Sequence, residues 1–224
     1  MMSKKPQRAK AARSRKDAYD TIRNRIAEHQ LLPGSKLREQ EIAAEFGLSR
    51  AHVREIFGAL EQRGLIVRVP NRGAMVAYLD AKQAINLYYV REALEALAVR
   101  LAAKSAPKGT WDDLLKRLNP AIEAKLRKGE YAEYEAILGE LNRRVIQHTN
   151  NPILADMLDR IHDRTQVMAR RVVVLQGRAE LGFDLHRKLA KALAAGDAET
   201  AAAVKGKIIA TARESIDRYR DFIF

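Results

Sequence analysis

The chain has 224 residues, with 41 Lys+Arg against 28 Asp+Glu, a formal net charge of +13 that favours a polyanionic partner. Its length gives room for about two domains. Cysteine is absent, which excludes a disulfide framework, thiolate metal ligation and a cysteine nucleophile. No apolar run reaches the ~18 residues of a membrane span, and the N-terminus lacks a signal peptide's apolar core. A soluble, cytoplasmic protein is therefore expected.

Residues 1–16 carry seven Lys and Arg residues (Lys4, Lys5, Arg8, Lys10, Arg13, Arg15 and Lys16) and no acid. Such a segment buries too little to offset its ordering entropy, so a disordered basic tail is expected. It serves either as an arm along phosphates or as a solubilising tail. A first helix is expected from Asp17 to Gln30, with Tyr19, Ile22 and Ile26 inward, and Pro33-Gly34 after it.

From Glu41 to Arg54 the sequence reads as two short helices around a tight turn. Ile42, Ala43 and Phe46 share one face. Gly47 suits the left-handed conformation that ends a helix, and Ser49 can cap the next one. In the second helix Val53, Ile56, Phe57 and Leu60 fall on one side, Arg50, Ala51, Arg54 and Gly58 on the other. Two arginines between small residues make a face that can enter a major groove. The planar guanidinium can bond a guanine edge or clamp a phosphate. Gly58 costs a helix about 1 kcal/mol against Ala, which close approach of DNA would justify. The stretch reads as a helix-turn-helix; an ordinary helical hairpin with charged outer faces would show the same pattern.

Beyond Gly64, Leu65–Val69 and Ala74–Ala77 can pair as two short strands around Pro70-Asn71-Arg72-Gly73. A hairpin with Arg72 at its tip, beside a helix-turn-helix, is a wing that can reach a minor groove. Arg38, just before the first helix of the motif, suits a phosphate contact. His52 lies off the arginine face, where a phosphate contact or none is expected.

The run Leu32-Pro-Gly-Ser-Lys-Leu-Arg-Glu-Gln-Glu-Ile-Ala, then Gly47-Leu-Ser-Arg-Ala-His-Val-Arg-Glu, Leu60-Glu-Gln-Arg-Gly-Leu-Ile and Asn71-Arg-Gly-Ala resembles the winged-helix domain of GntR-family transcription regulators. The resemblance covers residues 17–78. It implies a dimeric regulator that binds a near-palindromic double-stranded DNA operator and senses a small molecule through its C-terminal domain. The residues it marks for DNA are Arg38, Ser49, Arg50, Ala51, His52, Arg54, Arg72 and Gly73. Gln40 departs from the pattern, since some members carry a DNA-contacting Arg there.

From residue 79 to 224 the pattern is helical only, giving an expected all-α bundle of about six helices and a mainly α protein. Leu87, Val90, Leu94, Leu97 and Leu101 recur at three- and four-residue steps and mark a long amphipathic helix. Thr110-Trp-Asp-Asp resembles an N-cap with an acid in the first turn. Further helices are expected at about 131–150, 151–175, 178–195 and 198–222.

Val90-Arg-Glu-Ala-Leu-Glu-Ala-Leu-Ala, Thr149-Asn-Asn-Pro-Ile-Leu and Ala195-Gly-Asp-Ala-Glu are similar to the FCD-type ligand domain of the FadR subfamily. Many such domains hold a divalent metal through an Asp, a His four residues on, and two later His. Here those positions fall on Leu138, Asn142, His186 and Lys207 or Ile208. No metal and no other cofactor is therefore expected. A pocket lined by Arg91, Asn142 and His186 would favour an organic anion such as a carboxylate, with Arg91 able to hold it bidentately. Equally, Arg91 can pair with an acid inside the bundle while His186 is a satisfied core residue. The function expected is a DNA-binding regulator, a repressor, that responds to a small organic acid. A basic architectural DNA-binding protein with a vestigial ligand domain is the alternative. With no Ser/His/acid set and no phosphate-binding Gly loop, an enzyme is not expected.

Overall fold

The computed structural model describes residues 5–173 and 178–223, so Met1–Lys4 of the expected basic tail and the end of the helix expected to reach residue 175 lie outside the described residues. The chain divides into two compact units, Met1–Leu79 and Asp80–Phe224.

In the first unit, α1 spans Lys5–Ala27, starting twelve residues before the expected Asp17. The added turns are Lys, Arg, Gln and Ala with one Ser and an early Pro6. Most are strong helix formers, which lose little rotamer freedom in a helix. Ala18, Ile22 and Ile26 are its buried residues toward the core. After it come β1 (Lys36–Leu37), α2 (Glu39–Phe46), α3 (Arg50–Gln62), β2 (Ile66–Val69) and β3 (Gly73–Val76).

Gly47, at φ 62°, closes α2 with its N–H donating to the Ala43 carbonyl. The Ser49 hydroxyl then accepts the His52 N–H at 3.3 Å and opens α3. Both turn residues thus perform the local tasks their chemistry suits. Ile22, Ile42, Val53, Ile56, Phe57, Leu60, Leu65, Ile66 and Val76 close one core. Truncating Phe57 within it would cost ~3–5 kcal/mol.

The wing has three strands, not the expected two. β2 and β3 pair antiparallel from Ile66↔Val76 to Val69↔Gly73. On the other side of β3, Lys36 pairs with Met75 and Leu37 with Ala74. A two-residue strand shows no alternation to read; pairing with β3 satisfies backbone groups that would otherwise need water.

The second unit is all helical among its described residues. It comprises α4 (Ala81–Ser105), α5 (Asp112–Arg117), α6 (Pro120–Arg127), α7 (Ala132–Gln147), α8 (Pro152–Val173), α9 (Arg178–Ala194), α10 (Ala198–Arg218) and α11 (Arg220–Ile223). The expected six or so become eight because short helices form between Thr110 and Gly129 and after Tyr219. Asp80, Asn119 and Asp197 cap α4, α6 and α10 through their side chains. Thr110 does not cap α5: its hydroxyl donates to the Pro107 carbonyl at 2.7 Å, and Asp113 turns to Arg144 instead.

The most extensive helix–helix contact is α4 against α10. Ala84, Ala98 and Ala102 on one, and Ala201, Ala202 and Ala212 on the other, are buried. Small residues allow close axes. The leucine stripe therefore marks the helix but not its buried face. Val90 is 51% and Leu97 37% exposed, while Tyr88, Glu95 and Val99 point inward.

Candidate functional site

The buried face of α3 consists of Val53, Ile56, Phe57 and Leu60, which leaves Ser49, Arg50, Ala51 and Arg54 exposed as a group. His52 and Gly58 are half-buried at its edges, and a Cβ added at Gly58 would meet open space. Arg72 and Gly73 form the exposed hairpin tip, where Asn71 and Gly73 both take positive φ. Arg38 is exposed just before α2 and pairs with Glu41 at 2.6 Å. Between α3 and the wing lies a cleft of about 420 Å³ lined by Glu39, Phe57, Arg68, Val69, Pro70 and Asn71, among others.

Arg68 belongs to this surface and was missed from the sequence. It reaches the Arg54 carbonyl at 3.4 Å and Glu61 at 3.2 Å. A lone Arg within the apolar run Leu65-Ile-Val-Arg-Val was the available signal. Also missed were the partners that α2 supplies to the two exposed arginines of α3. Arg50 donates from Nη2 to Gln40 Oε1 at 3.0 Å, and Arg54 Nε lies 3.3 Å from Glu39 Oε2.

In the bundle, Arg91 and Asn142 join one polar cluster. Arg91 donates from Nε to Glu95 Oε1 and lies over the Tyr88 ring, 5.1 Å from its centroid. His162 donates from Nε2 to the same Glu95 oxygen at 2.9 Å. Lys205 donates to Glu95 Oε2 at 2.6 Å and to Asn142 Oδ1 at 3.0 Å. Burial pushes the Glu95 carboxyl up, but Arg91 and Lys205, with the His162 bond, outweigh it and hold the group well below the usual carboxylate range. Burial likewise lowers Arg91, and the Glu95 charge more than restores it. Arg91 thus has the internal acid that was one of its two expected partners. Glu95, Lys205 and His162 were not singled out from sequence; the i,i+4 spacing of Arg91 and Glu95 was the one visible hint.

His186 makes a different set of contacts. Its Nδ1 is 2.7 Å from the Gly182 carbonyl and 2.9 Å from the Tyr134 hydroxyl. A carbonyl only accepts, so Nδ1 carries the proton and donates.

The residues at the resembled metal positions do not suit a divalent ion. Leu138 and Ile208 offer no donor atom. The Asn142 oxygen already accepts from an ammonium, so His186 would be left as a single imidazole, too few donors for a divalent ion. Among the described residues no group of three His, Asp or Glu side chains is placed to hold a metal.

Similarities to known proteins follow these two surfaces. Residues 14–76 match the profile of "Bacterial regulatory proteins, gntR family", and residues 86–211 match the FCD domain. A relative from Paenarthrobacter nicotinovorans, named "Probable D-xylose utilization operon transcriptional repressor", is 30% identical over 185 residues, 81% of this chain and 79% of that one. An HTH-type transcriptional regulator in an unstable DNA locus of Streptomyces ambofaciens is 33% identical over 114 residues, 51% of this chain. That match spans only 43% of the Streptomyces protein. The fold is that of E. coli McbR/YncC, with a TM-score of 0.73 at 20% identity over 93% of this chain and 98% of the other. The chain belongs to the GntR family of bacterial regulatory proteins, with the family's winged helix followed by an FCD domain.

Proposed function

We propose that this regulator is a sequence-specific repressor that binds a near-palindromic operator as a two-fold dimer and responds to a small organic acid. The observation that carries the DNA half is the exposed α3 face of Ser49, Arg50, Ala51 and Arg54 beside an Arg72-tipped wing. In this reading α3 enters the major groove, with Arg50 and Arg54 on base edges. Arg72 and Gly73 follow the minor groove, and Arg38 and His52 contact phosphates. The repressor reading draws on the name of the Paenarthrobacter relative.

Dimerisation is supported by α4. Val90 and Leu97 are exposed on its outer side, with half-buried Leu94 and Leu101 adjoining, an apolar strip that a second copy would cover. The acid effector is supported by Arg91, Asn142 and their neighbour Lys205, which bring a guanidinium and an amine into the bundle. His186 joins them in this reading. No described helix is long and apolar enough to cross a membrane, in keeping with a cytoplasmic site of action.

The test is selection from random duplexes. A recurrent inverted repeat that Arg54→Ala abolishes supports a sequence-specific regulator. Uniform recovery with steep salt dependence would instead favour a basic architectural protein, the reading that the net charge of +13 suggests.

A further inference from the structure

The arginines on the outer face of α3 are held, and both holders come from one place. Arg54 Nε lies 3.3 Å from Glu39 Oε2, and Arg50 Nη2 donates to Gln40 Oε1 at 3.0 Å. Glu39 and Gln40 are the first two residues of α2. The N-terminal turn of one helix therefore fixes the direction of two guanidinium groups on the next.

Each contact engages one nitrogen of its arginine. The remaining N–H groups stay available for a second acceptor, such as the O6 and N7 atoms of a guanine. A free Arg loses rotamer entropy when it docks; one already held in place loses less, and only in the direction it has been given.

The two holders differ in charge. Gln40 is neutral, so it orients Arg50 without altering attraction to phosphates. Glu39 contributes a carboxylate to the lining of the cleft between α3 and the wing. There it repels the polyanion everywhere along a duplex, whereas Arg54 on a matching base edge can keep its Nε contact and still bond through its other nitrogens. A repulsive group that costs all sequences equally, and is offset only at the right one, raises discrimination.

We propose that Glu39 and Gln40 are specificity-determining positioning residues of the DNA interface: Gln40 aims Arg50, and Glu39 aims Arg54 while suppressing sequence-independent binding. The inference rests on α3 being the recognition helix.

The experiment uses the full chain as wild type, Gln40→Ala, Gln40→Arg and Glu39→Gln, each selected against random duplexes. The enriched site and a scrambled duplex are then titrated over a salt series. Gln40→Ala is expected to return the wild-type repeat with one position per half-site degenerate and the salt slope unchanged. Gln40→Arg, which repels Arg50, shifts the preference at that same position. Glu39→Gln binds the scrambled duplex several-fold more tightly, while its ratio of specific to scrambled affinity falls by about tenfold, the scale of one lost base contact. A merely structural role would move neither the base preference nor that ratio. If the variants return the wild-type repeat at the wild-type ratio, the proposal is overturned while the recognition-helix reading stands. If the wild type itself enriches no repeat, that reading fails and this inference falls with it.

Discussion

Lys205 on α10 donates from Nζ to Glu95 Oε2 on α4 across 2.6 Å, with both side chains only 4% exposed. This pair ties together the two helices that make the largest contact in the bundle. Taking two charges out of water is costly, and the pair is tolerable only because each partner has further hydrogen bonds. Lys205→Met is expected to destabilise the second unit by about 3–5 kcal/mol, because a buried carboxylate loses a counter-charge. The double variant Lys205→Met/Glu95→Gln should lose less than the sum of the single changes, a coupling of more than ~1 kcal/mol. Urea denaturation of the four proteins measures it; additive losses would mean the pair carries no coupling.

Acid should act through the same carboxyl. Glu95 is depressed in the folded state, so its contribution is present above the ordinary glutamate value of about 4.3 and is lost as pH falls through the lower folded value. Stability of the wild type should therefore drop more steeply below about pH 4 than that of Glu95→Gln. Glu140 adds a surface counterpart. Hydrogen bonds from Arg143 and Arg144 lower its pKa to about 2, so its part of the tie to Arg144 is complete at pH 5 and fades between about 4.3 and 2. Denaturation midpoints recorded across that range check both slopes.

Gly58 sits in the interior of α3 with nothing within 4 Å of the position a Cβ would take. Gly58→Ala should stabilise the winged unit by about 1 kcal/mol. If DNA passes close to this residue, the same change weakens operator binding. A more stable protein with undiminished operator affinity would show that the glycine does not serve close approach.

At the wing tip, Arg72→Ala is expected to reduce the slope of log affinity against log salt by about two, since the dimer loses one cationic contact in each half-site. An additional loss of A·T preference beside the core repeat would place Arg72 in a narrow minor groove. An unchanged slope would place it off the DNA.

On α4, Leu97→Glu puts a charge into the exposed apolar strip that includes Val90. Sedimentation is expected to show the wild type as the proposed dimer and this variant as monomer, with operator affinity falling as the second half-site contact is lost. A dimer unaffected by the change would place the interface on another surface.

The winged half was legible because its signals are local. Gly47 and Ser49 declare a turn and a cap, and the two faces of α3 follow from helical spacing alone. The third strand was not legible, because Lys36 and Leu37 become a strand only through pairing with Met75 and Ala74. The start of α1 was misplaced because charge was weighed against burial while helix propensity went uncounted. In the bundle, regularly spaced leucines on α4 drew attention away from Ala84, Ala98 and Ala102, which are buried. Thr110 has a cap's chemistry, but Pro107 offered its hydroxyl a nearer carbonyl. Arg91 and Asn142 were named by position, whereas the groups they contact, Glu95 and Lys205, lie 110 residues apart in sequence.

Trp111 is the chain's single tryptophan. It is 2% exposed in the second unit, in a T-shaped contact with His148 at a centroid distance of 6.0 Å. The winged unit has no indole at all. Tryptophan emission therefore watches the ligand domain alone, while far-ultraviolet ellipticity registers helices from both units. Following the two signals through one melt separates the unfolding of each half without a label, and a compound that shifts the emission midpoint together with only the matching phase of the ellipticity curve declares which half it has entered.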